Sequence, residues 1–177
     1  MTENSAVLTE TRGRVLLITL NRPEAMNAIN TDLAQGLLAA VEELDSNDGL
    51  TAGVLTGNGR GFCSGMDLKA FAAGGPPKGF DQFLETGSKK PLIAAIEGFA
   101  LAGGLEVALT CDLLVAAKDA KIGIREVKVG LFAAGGALLR LPRRLPYSVA
   151  MEMALTGQPI TSDEAKSHGL VSRVTDH

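Results

Sequence analysis

The sequence predicts an α/β protein, because short apolar runs alternate with segments of helical periodicity. Residues 15–20 (VLLITL) and 52–55 are two such runs, and both are short enough to be buried strands. Between them, apolar residues recur at helical spacing from Leu33 to Leu44, which predicts a helix with one inward-facing side. Asn30 or Thr31 is expected to cap this helix. Strands that alternate with helices are typical of α/β architectures.

The rest of the chain is organised around residues 93–117, which predict a strand, a helix from Leu105 and a second strand. Gly103-Gly104 precedes the helix and leaves backbone N–H groups without a side chain in front, which suits a developing anion. Glu106 lies in the first turn among apolar neighbours, where burying a carboxylate is costly unless it has a use. A purely structural interpretation stays open, in which the helix dipole favours an acid at this end.

Composition restricts the class of protein. The 177 residues, 46% hydrophobic and 21% charged, predict one globular domain over residues 1–177, with its core at about 12–175. A net charge of −3 and the lack of a basic stripe predict no nucleic-acid partner. Cys63 and Cys111 form no C-x-x-C pair, so neither zinc nor a disulfide framework is expected. A polar N-terminus and the lack of an apolar run of roughly 18 residues predict a cytoplasmic protein without a membrane span.

The glycine-rich loop at residues 56–65 matches neither the known phosphate-binding motifs nor the nucleophile motifs. The G-x-G-x-x-G pattern fails because Gly65 comes one place late, and no Gly-Lys-Ser or Gly-Lys-Thr is present. Ser64 does not form a nucleophile elbow, since Phe62 stands where glycine is required. The only histidines are His168 and His177, so a Ser-His or Cys-His pair is not supported.

Three further segments give local predictions. Residues 70–89, with AAGGPPKGF, are expected to be an exposed linker or a lid. The basic run at Arg140, Arg143 and Arg144 is typical of a solvated face. Residues 161–164 form a capping box for a helix that ends near His168, and residues 170–174 are predicted as a final strand.

Five ordered motifs together carry a resemblance to a known family. They are LNRPEAMNAIN (20–30), GNGRGFCSGMDL (57–68), KPLIAAIEGFALAGGLEVALTCDLLVAA (90–117), IGIREVKVGLFAAGGALLRLP (122–142) and MEMALTGQPITSDEAKSHGLV (151–171). With these motifs, the chain resembles the crotonase superfamily, the enoyl-CoA hydratase/isomerase family, from about residue 15 to 174. The resemblance implies a crotonase-like (ClpP/crotonase) spiral of ββα units that binds an acyl-CoA thioester.

The resemblance also implies a set of site residues. The backbone N–H groups of Met66 and Gly103 match the family's oxyanion hole, and Glu106 and Glu126 match the two glutamates that hydratases place around one water. These matches imply hydration of a 2-enoyl-CoA to a 3-hydroxyacyl-CoA without a metal or redox cofactor. The expected substrate-binding residues are Glu24, Met26, Ala28, Ser64, Gly65, Asp67, Leu68 and Gly104.

Two departures from the family pattern lead to further expectations. Arg125 stands where the family commonly has proline, and it would either pair with Glu126 and lower its pKa or point to solvent. Family chains continue past the final strand into a C-terminal helical region, whereas this chain stops at Asp176-His177. We therefore expect a fragment or a short member whose exposed apolar surface favours a homo-oligomer, a trimer or a dimer of trimers, or leaves a marginally stable protein with weakened activity.

Two alternatives to hydration stay open at this point. An enoyl-CoA isomerase would use one acid, Glu126. A noncatalytic acyl-CoA-binding protein would bind the thioester without turnover.

Overall fold

The computed structural model describes residues 5–176. Its strands are β1 Val7–Arg12, β2 Val15–Leu20, β3 Ala52–Gly57, β4 Leu92–Ile96, β5 Phe99–Leu101, β6 Leu113–Ala117, β7 Lys121–Gly123, β8 Ile160–Thr161 and β9 Arg173–Thr175. Its helices are α1 Thr31–Ser46, α2 Leu68–Gly74, α3 Phe80–Thr86, α4 Gly103–Leu109, α5 Ala137–Arg144, α6 Tyr147–Thr156 and α7 Ser162–Ser167. Among these helices, none is long and apolar enough to cross a membrane.

The strands of the described chain form two sheets. The larger sheet has the order β1-β2-β3-β4-β6-β9, and the smaller one has the order β5-β7-β8. From β2 to β9 the larger sheet is parallel, and β1 is antiparallel to β2. Because β4 and β6 lie in the larger sheet, while β5 and β7 that follow them lie in the smaller one, the chain passes between the sheets as it advances. This alternation is the ββα repeat expected from the motifs.

Several predicted elements are confirmed. The strand β2 has the predicted bounds, and β6 ends at residue 117 as predicted. Asn30 caps α1 by accepting a hydrogen bond from the Leu33 N–H at 3.0 Å. The capping box of α7 is present, with Thr161 and Glu164 bonded reciprocally. The last strand begins at Arg173 rather than at residue 170, because Leu170 and Val171 are buried while their N–H groups bond to Ala165 instead of to a strand. The strand β1 was not predicted.

The linker prediction for residues 70–89 is wrong. This segment contains most of α2 and all of α3, and α3 packs against α1. Phe80, Phe83 and Leu84 of α3 are buried against the core. Gly75 and Gly79, which suggested an unstructured connection, have positive φ angles of 76° and 87° and flank the short turn between the two helices. Gly75 therefore caps the end of α2, and Gly79 caps the start of α3.

Candidate active site

Two glycine-rich turns meet at the start of α4. A Cβ atom added to Gly65 would lie 2.8 Å from the Ala102 Cβ and 3.2 Å from the Gly103 nitrogen, and Gly65 has a φ of +104°. On the next turn, a Cβ atom on Gly104 would lie 2.4 Å from the Cys63 carbonyl oxygen. Only glycine allows this approach. The loop after β3 is therefore held against the N-terminus of α4 by direct backbone contact.

This contact brings together the two N–H groups that the motifs predicted for an oxyanion hole. The Met66 nitrogen lies 3.6 Å from the position that a Cβ atom of Gly103 would occupy. Neither the Met66 nor the Gly103 N–H donates a hydrogen bond to another group within residues 5–176. Gly103 is buried and opens α4, where N–H groups have no partner within the helix. The two donors are thus close together and available to an oxygen acceptor.

The residue before this helix has an unusual backbone. Ala102 has a φ of +51° and a ψ of −129°, a region that costs a non-glycine residue energy. Its N–H donates a 2.8 Å hydrogen bond to the Gly123 carbonyl at the end of β7. The smaller sheet therefore holds the strained residue that turns the chain into α4.

Asn27 is a supporting residue that the sequence did not reveal. It is fully buried, and its amide group donates to the Asn58 and Gly61 carbonyls, both at 2.9 Å. The main-chain carbonyl of Asn27 accepts a 3.0 Å hydrogen bond from the Cys63 thiol, and the Gly65 N–H donates to that sulfur at 3.4 Å. Burial raises the pKa of the Cys63 thiol to about 12, so it stays protonated and can donate. The chain of bonds fixes the loop that ends in Met66.

The residues expected to line the CoA groove lie around this loop in varied environments. Arg22 forms an ion pair with Asp67 at 3.1 Å and donates to the Ala28 carbonyl. The Asp67 carboxylate caps α2 by accepting a hydrogen bond from the Ala70 N–H. This bond, and to a smaller extent the contact with Arg22, keeps the pKa of Asp67 below its usual value. Glu24, Met26 and Leu68 are exposed, and Ser64 is half-buried beside Gly65.

Glu106 is almost fully enclosed, with 4% of its surface exposed. Its Oε1 atom accepts a 3.1 Å hydrogen bond from the Ala137 N–H at the start of α5. A Cβ atom on Gly135 would lie 2.5 Å from the Oε2 atom, so the glycine at this position lets the backbone approach the carboxyl group. Burial, above all, raises the pKa of Glu106 to about 7, and the charge of Glu126 adds to the rise. The acid is therefore able to exist in both protonation states near neutral pH.

Glu126 begins the short 3-10 helix Glu126–Val129. Burial also raises the pKa of this carboxyl group, although it is only half-buried. Its Oε2 atom is buried and has no hydrogen-bond partner within the described chain, which is costly unless a ligand or water completes it. The predicted pairing with Arg125 is wrong, because Arg125 is exposed and no ion pair joins the two residues. The second prediction, that Arg125 points to solvent, is confirmed.

An apolar groove of about 410 Å³ begins at Glu126. It is lined by Val127, Leu131, Phe132, Leu138 and Leu155, among others. All five side chains are exposed, with Phe132 at 71% and Leu155 at 68%. We call this set of five the apolar face. One of the two candidate acids therefore lies at the edge of a surface suited to apolar groups.

On a ββα spiral, the structure thus brings the unpaired N–H groups of Met66 and Gly103 to the start of α4, the helix that carries Glu106, and both Glu106 and Glu126 have a raised pKa. The model of the family described as "Enoyl-CoA hydratase/isomerase" matches residues 10–177 of this chain. This chain therefore belongs to the enoyl-CoA hydratase/isomerase family.

Solved structures confirm the crotonase-like fold. The enoyl-CoA hydratase EchA1 from Mycobacterium marinum superposes with a TM-score of 0.92 at 50% identity, covering 98% of this chain and 70% of its own. A carnitinyl-CoA dehydratase from Mycobacterium avium gives a TM-score of 0.90 at 42% identity over 97% of this chain and 70% of its own.

Curated relatives of this chain are named as hydratases of CoA thioesters. The enoyl-CoA hydratase EchA19 of Mycobacterium tuberculosis is 41% identical over 94% of this chain and 67% of its own length. The (E)-benzylidenesuccinyl-CoA hydratase of Thauera aromatica is 40% identical over 96% of this chain and 70% of its own length. The chain thus spans about two thirds of the length of these relatives.

Proposed function

We propose that this protein is an enoyl-CoA hydratase, which adds water across the double bond of a 2-enoyl-CoA to give a 3-hydroxyacyl-CoA. The observation that carries the proposal is the pair of acids of raised pKa, Glu106 and Glu126, beside two unpaired N–H groups. The names of the relatives at about 40% identity support the same reaction.

The proposed oxyanion hole consists of the Met66 and Gly103 N–H groups. The thioester oxygen accepts both hydrogen bonds, and they strengthen as the oxygen gains charge in the enolate-like transition state. Each such donor is typically worth about 3 kcal/mol. Gly65 and Gly104 keep side chains out of the approach to this oxygen.

The two glutamates handle the protons of one water molecule. As the water oxygen bonds to the β-carbon, an ionised carboxylate takes one water proton, and the electron pair of the double bond moves toward the thioester as an enolate. A protonated carboxyl group beside it then delivers a proton to the α-carbon. The atoms balance to one added water, so hydration needs no cofactor beyond the CoA of its substrate. The unpaired Oε2 atom of Glu126 is the position at which we place the water.

We further propose that the substrate groove includes Glu24, Met26, Ala28, Ser64, Asp67 and Leu68, in agreement with the motif matches. The Arg22–Asp67 ion pair supports this loop from within. One buried core that extends from Val7 to Val171 supports a single domain over residues 1–177. The cytoplasmic location stays a prediction.

We also propose that the protein assembles as a homo-oligomer, a trimer or a dimer of trimers. The apolar face supports this proposal, because large exposed apolar patches usually mark contact surfaces.

The first experiment follows the loss of enoyl-thioester absorbance after the protein is mixed with a short 2-enoyl-CoA. Glu106→Gln and Glu126→Gln are measured in parallel with the wild type. Each substitution keeps the size of the side chain and removes its proton transfer, so we expect turnover to fall on the order of a hundredfold or more in both.

Glu43→Gln is the matched control, because Glu43 is exposed on α1. It is expected to turn over at the wild-type rate. Wild-type protein that binds the thioester without consuming it would contradict hydration. Hydration lost in Glu106→Gln while double-bond isomerisation persists would point to an isomerase instead.

A further inference from the structure

Arg140 is a half-buried arginine whose contacts differ from the solvated face predicted for the basic run on α5. Its Nη1 atom donates a 2.9 Å hydrogen bond to the Gly135 carbonyl, and its Nη2 atom donates to the Leu84 carbonyl. The guanidinium group therefore folds back over the start of its own helix. On the same helix Arg143 is exposed, and Arg144 donates to the Cys111 carbonyl at 2.9 Å.

The turn that Arg140 bonds is the turn that encloses Glu106. A Cβ atom on Gly135 would lie 2.5 Å from the Glu106 Oε2 atom and 2.6 Å from the Leu84 Cδ1 atom, so the Gly135 backbone lies close to both side chains. Gly136 has a φ of +102°, and a Cβ atom there would lie 2.3 Å from the Arg140 Nη1 atom. A side chain at position 135 would displace the Glu106 carboxyl group, and one at position 136 would displace the guanidinium and strain the backbone. The next residue, Ala137, donates its N–H to Glu106.

The second carbonyl belongs to the last turn of α3. Leu84 is buried, and its carbonyl is among the last four of the helix, which lack partners within the helix. A cation at this end also interacts favourably with the helix dipole. Arg140 therefore joins α3 to the Gly135–Gly136 turn across 56 residues of sequence.

The charged groups that act on Glu106 come from two elements. Glu126, on the 3-10 helix, disfavours ionisation of Glu106, while Arg140, on α5, favours it. The Ala137 and Gly135 N–H groups favour the ionised form as well. Burial and the charge of Glu126 both raise the pKa of Glu106, and the positive charge of Arg140 opposes them. Removing that charge is therefore expected to raise the pKa of Glu106 further.

We propose that Arg140 is a positioning residue for Glu106: it fixes the turn whose N–H groups bind the carboxyl group, holds α3 against that turn, and supports the ionised form of the acid. The link to catalysis rests on the proposed function, whereas the effect on the Glu106 carboxyl group does not. Lysine cannot replace both roles, because its single ammonium lacks the planar fork that reaches two carbonyls at once.

The test measures the protonation of Glu106 without substrate. The carboxyl carbon signal of Glu106 is assigned in labelled protein by its absence from Glu106→Gln, and it is titrated in wild type, Arg140→Gln, Arg140→Lys and Arg143→Gln. In Arg140→Gln we expect the titration midpoint to rise by roughly half a pH unit or more, since a nearby opposite charge is lost. Arg143→Gln is the matched control on the same helix and is expected to keep the wild-type midpoint.

The same variants are then assayed for hydration. We expect kcat to fall on the order of tenfold in Arg140→Gln, with a smaller change in KM, because a misplaced acid slows chemistry more than it weakens binding. Arg140→Lys is expected to keep a midpoint near that of the wild type and still lose turnover.

Several results would overturn the proposal. One is an unchanged midpoint in folded Arg140→Gln, and another is wild-type kcat in Arg140→Lys. If Arg140→Gln does not fold, the lysine variant alone decides between charge and geometry. If the wild type does not hydrate any enoyl-CoA, the proposed function fails, while the titration still decides the role of Arg140.

Discussion

At the scale of single residues, Glu106 is a carboxyl group that folding removes almost entirely from water, with 4% of its surface exposed. A carboxyl group ordinarily titrates near 4.5, whereas burial raises the pKa of Glu106 to about 7. The unfolded chain loses this proton at a lower pH than the native protein does. The contribution of Glu106 to the free energy of unfolding therefore falls as the pH rises from about 4.5 to about 7.

This linkage gives a prediction for Glu106→Gln. Above pH 7 the variant is expected to be more stable than the wild type, by at most about 3 kcal/mol, because a neutral amide has no charge to desolvate. At pH 5 the difference should be much smaller. Urea unfolding of both proteins at pH 5 and pH 8 measures this directly.

Glu43→Gln again serves as the control, because an exposed side chain should leave the pH dependence of unfolding as in the wild type. Parallel pH profiles for wild type and Glu106→Gln would show that the native acid titrates like a free one. Glu126, whose pKa is also raised, acts in the same direction and remains in both proteins.

Sequence reasoning found some residues of the candidate site and missed others for a physical reason. Gly103 and Glu106 stand at a helix start, where local rules apply, whereas Met66 and Glu126 were named only through the family resemblance. Asn27 and Arg140 act by bonding carbonyls 31 to 56 residues away. No periodicity or spacing encodes such long-range bonds, so only the structure could reveal them.

At the scale of elements, α3 shows how turn residues can hide short helices. The letters GPPKG, residues 75–79, lie between two helices of seven residues each. Helices of this length offer less than two turns of amphipathic pattern, so the glycines and prolines dominate the prediction. The long helix α1 and the strands β2 and β6 have clear patterns and were predicted with few errors.

The two phenylalanines of this segment give a matched test. Phe83 on α3 is fully buried, whereas Phe71 on α2 is 44% exposed. Phe83→Ala is expected to lower the free energy of unfolding by about 3 to 5 kcal/mol, because it leaves a cavity in the core. Phe71→Ala should cost roughly 1 kcal/mol or less. Urea midpoints of the two variants check this.

Equal, small costs for the two substitutions would contradict the packing of α3 and would return the segment to a mobile linker. The comparison also bears on Arg140, because α3 must be ordered for its guanidinium to hold the Leu84 carbonyl.

At the scale of the whole molecule, strand order is the property that local patterns predicted least. Buried runs predicted strands, but nothing in their periodicity places β9 beside β6 or divides the strands between two sheets. The five motifs, taken together as a family resemblance, implied a spiral of ββα units and no strand order. Topology depends on contacts between segments that are distant in the sequence. A single sequence does not reveal these contacts except through its resemblance to proteins of known fold.

The apolar face leads to a prediction about assembly. Replacing Phe132 and Leu155 together by serine is expected to shift the protein toward monomers, because it removes apolar area from the proposed contact. Sedimentation velocity over a range of concentrations measures the change. Leu113→Ser, at a 51% exposed position of β6 outside the face, is the control. A wild-type protein that is monodisperse, monomeric and fully active would contradict the proposed oligomer.

The proposed oxyanion donors belong to the main chain, and this has a consequence for how the protein tolerates change. Substituting the side chain at position 66 leaves its N–H in place, provided that Gly65 and Gly104 keep the backbone close. The positions of the two proposed donors therefore do not depend on which side chains form the surrounding pocket. Side chains around the proposed site can therefore change in evolution while these two hydrogen bonds persist, so new substrate preferences can arise without rebuilding the proposed chemistry.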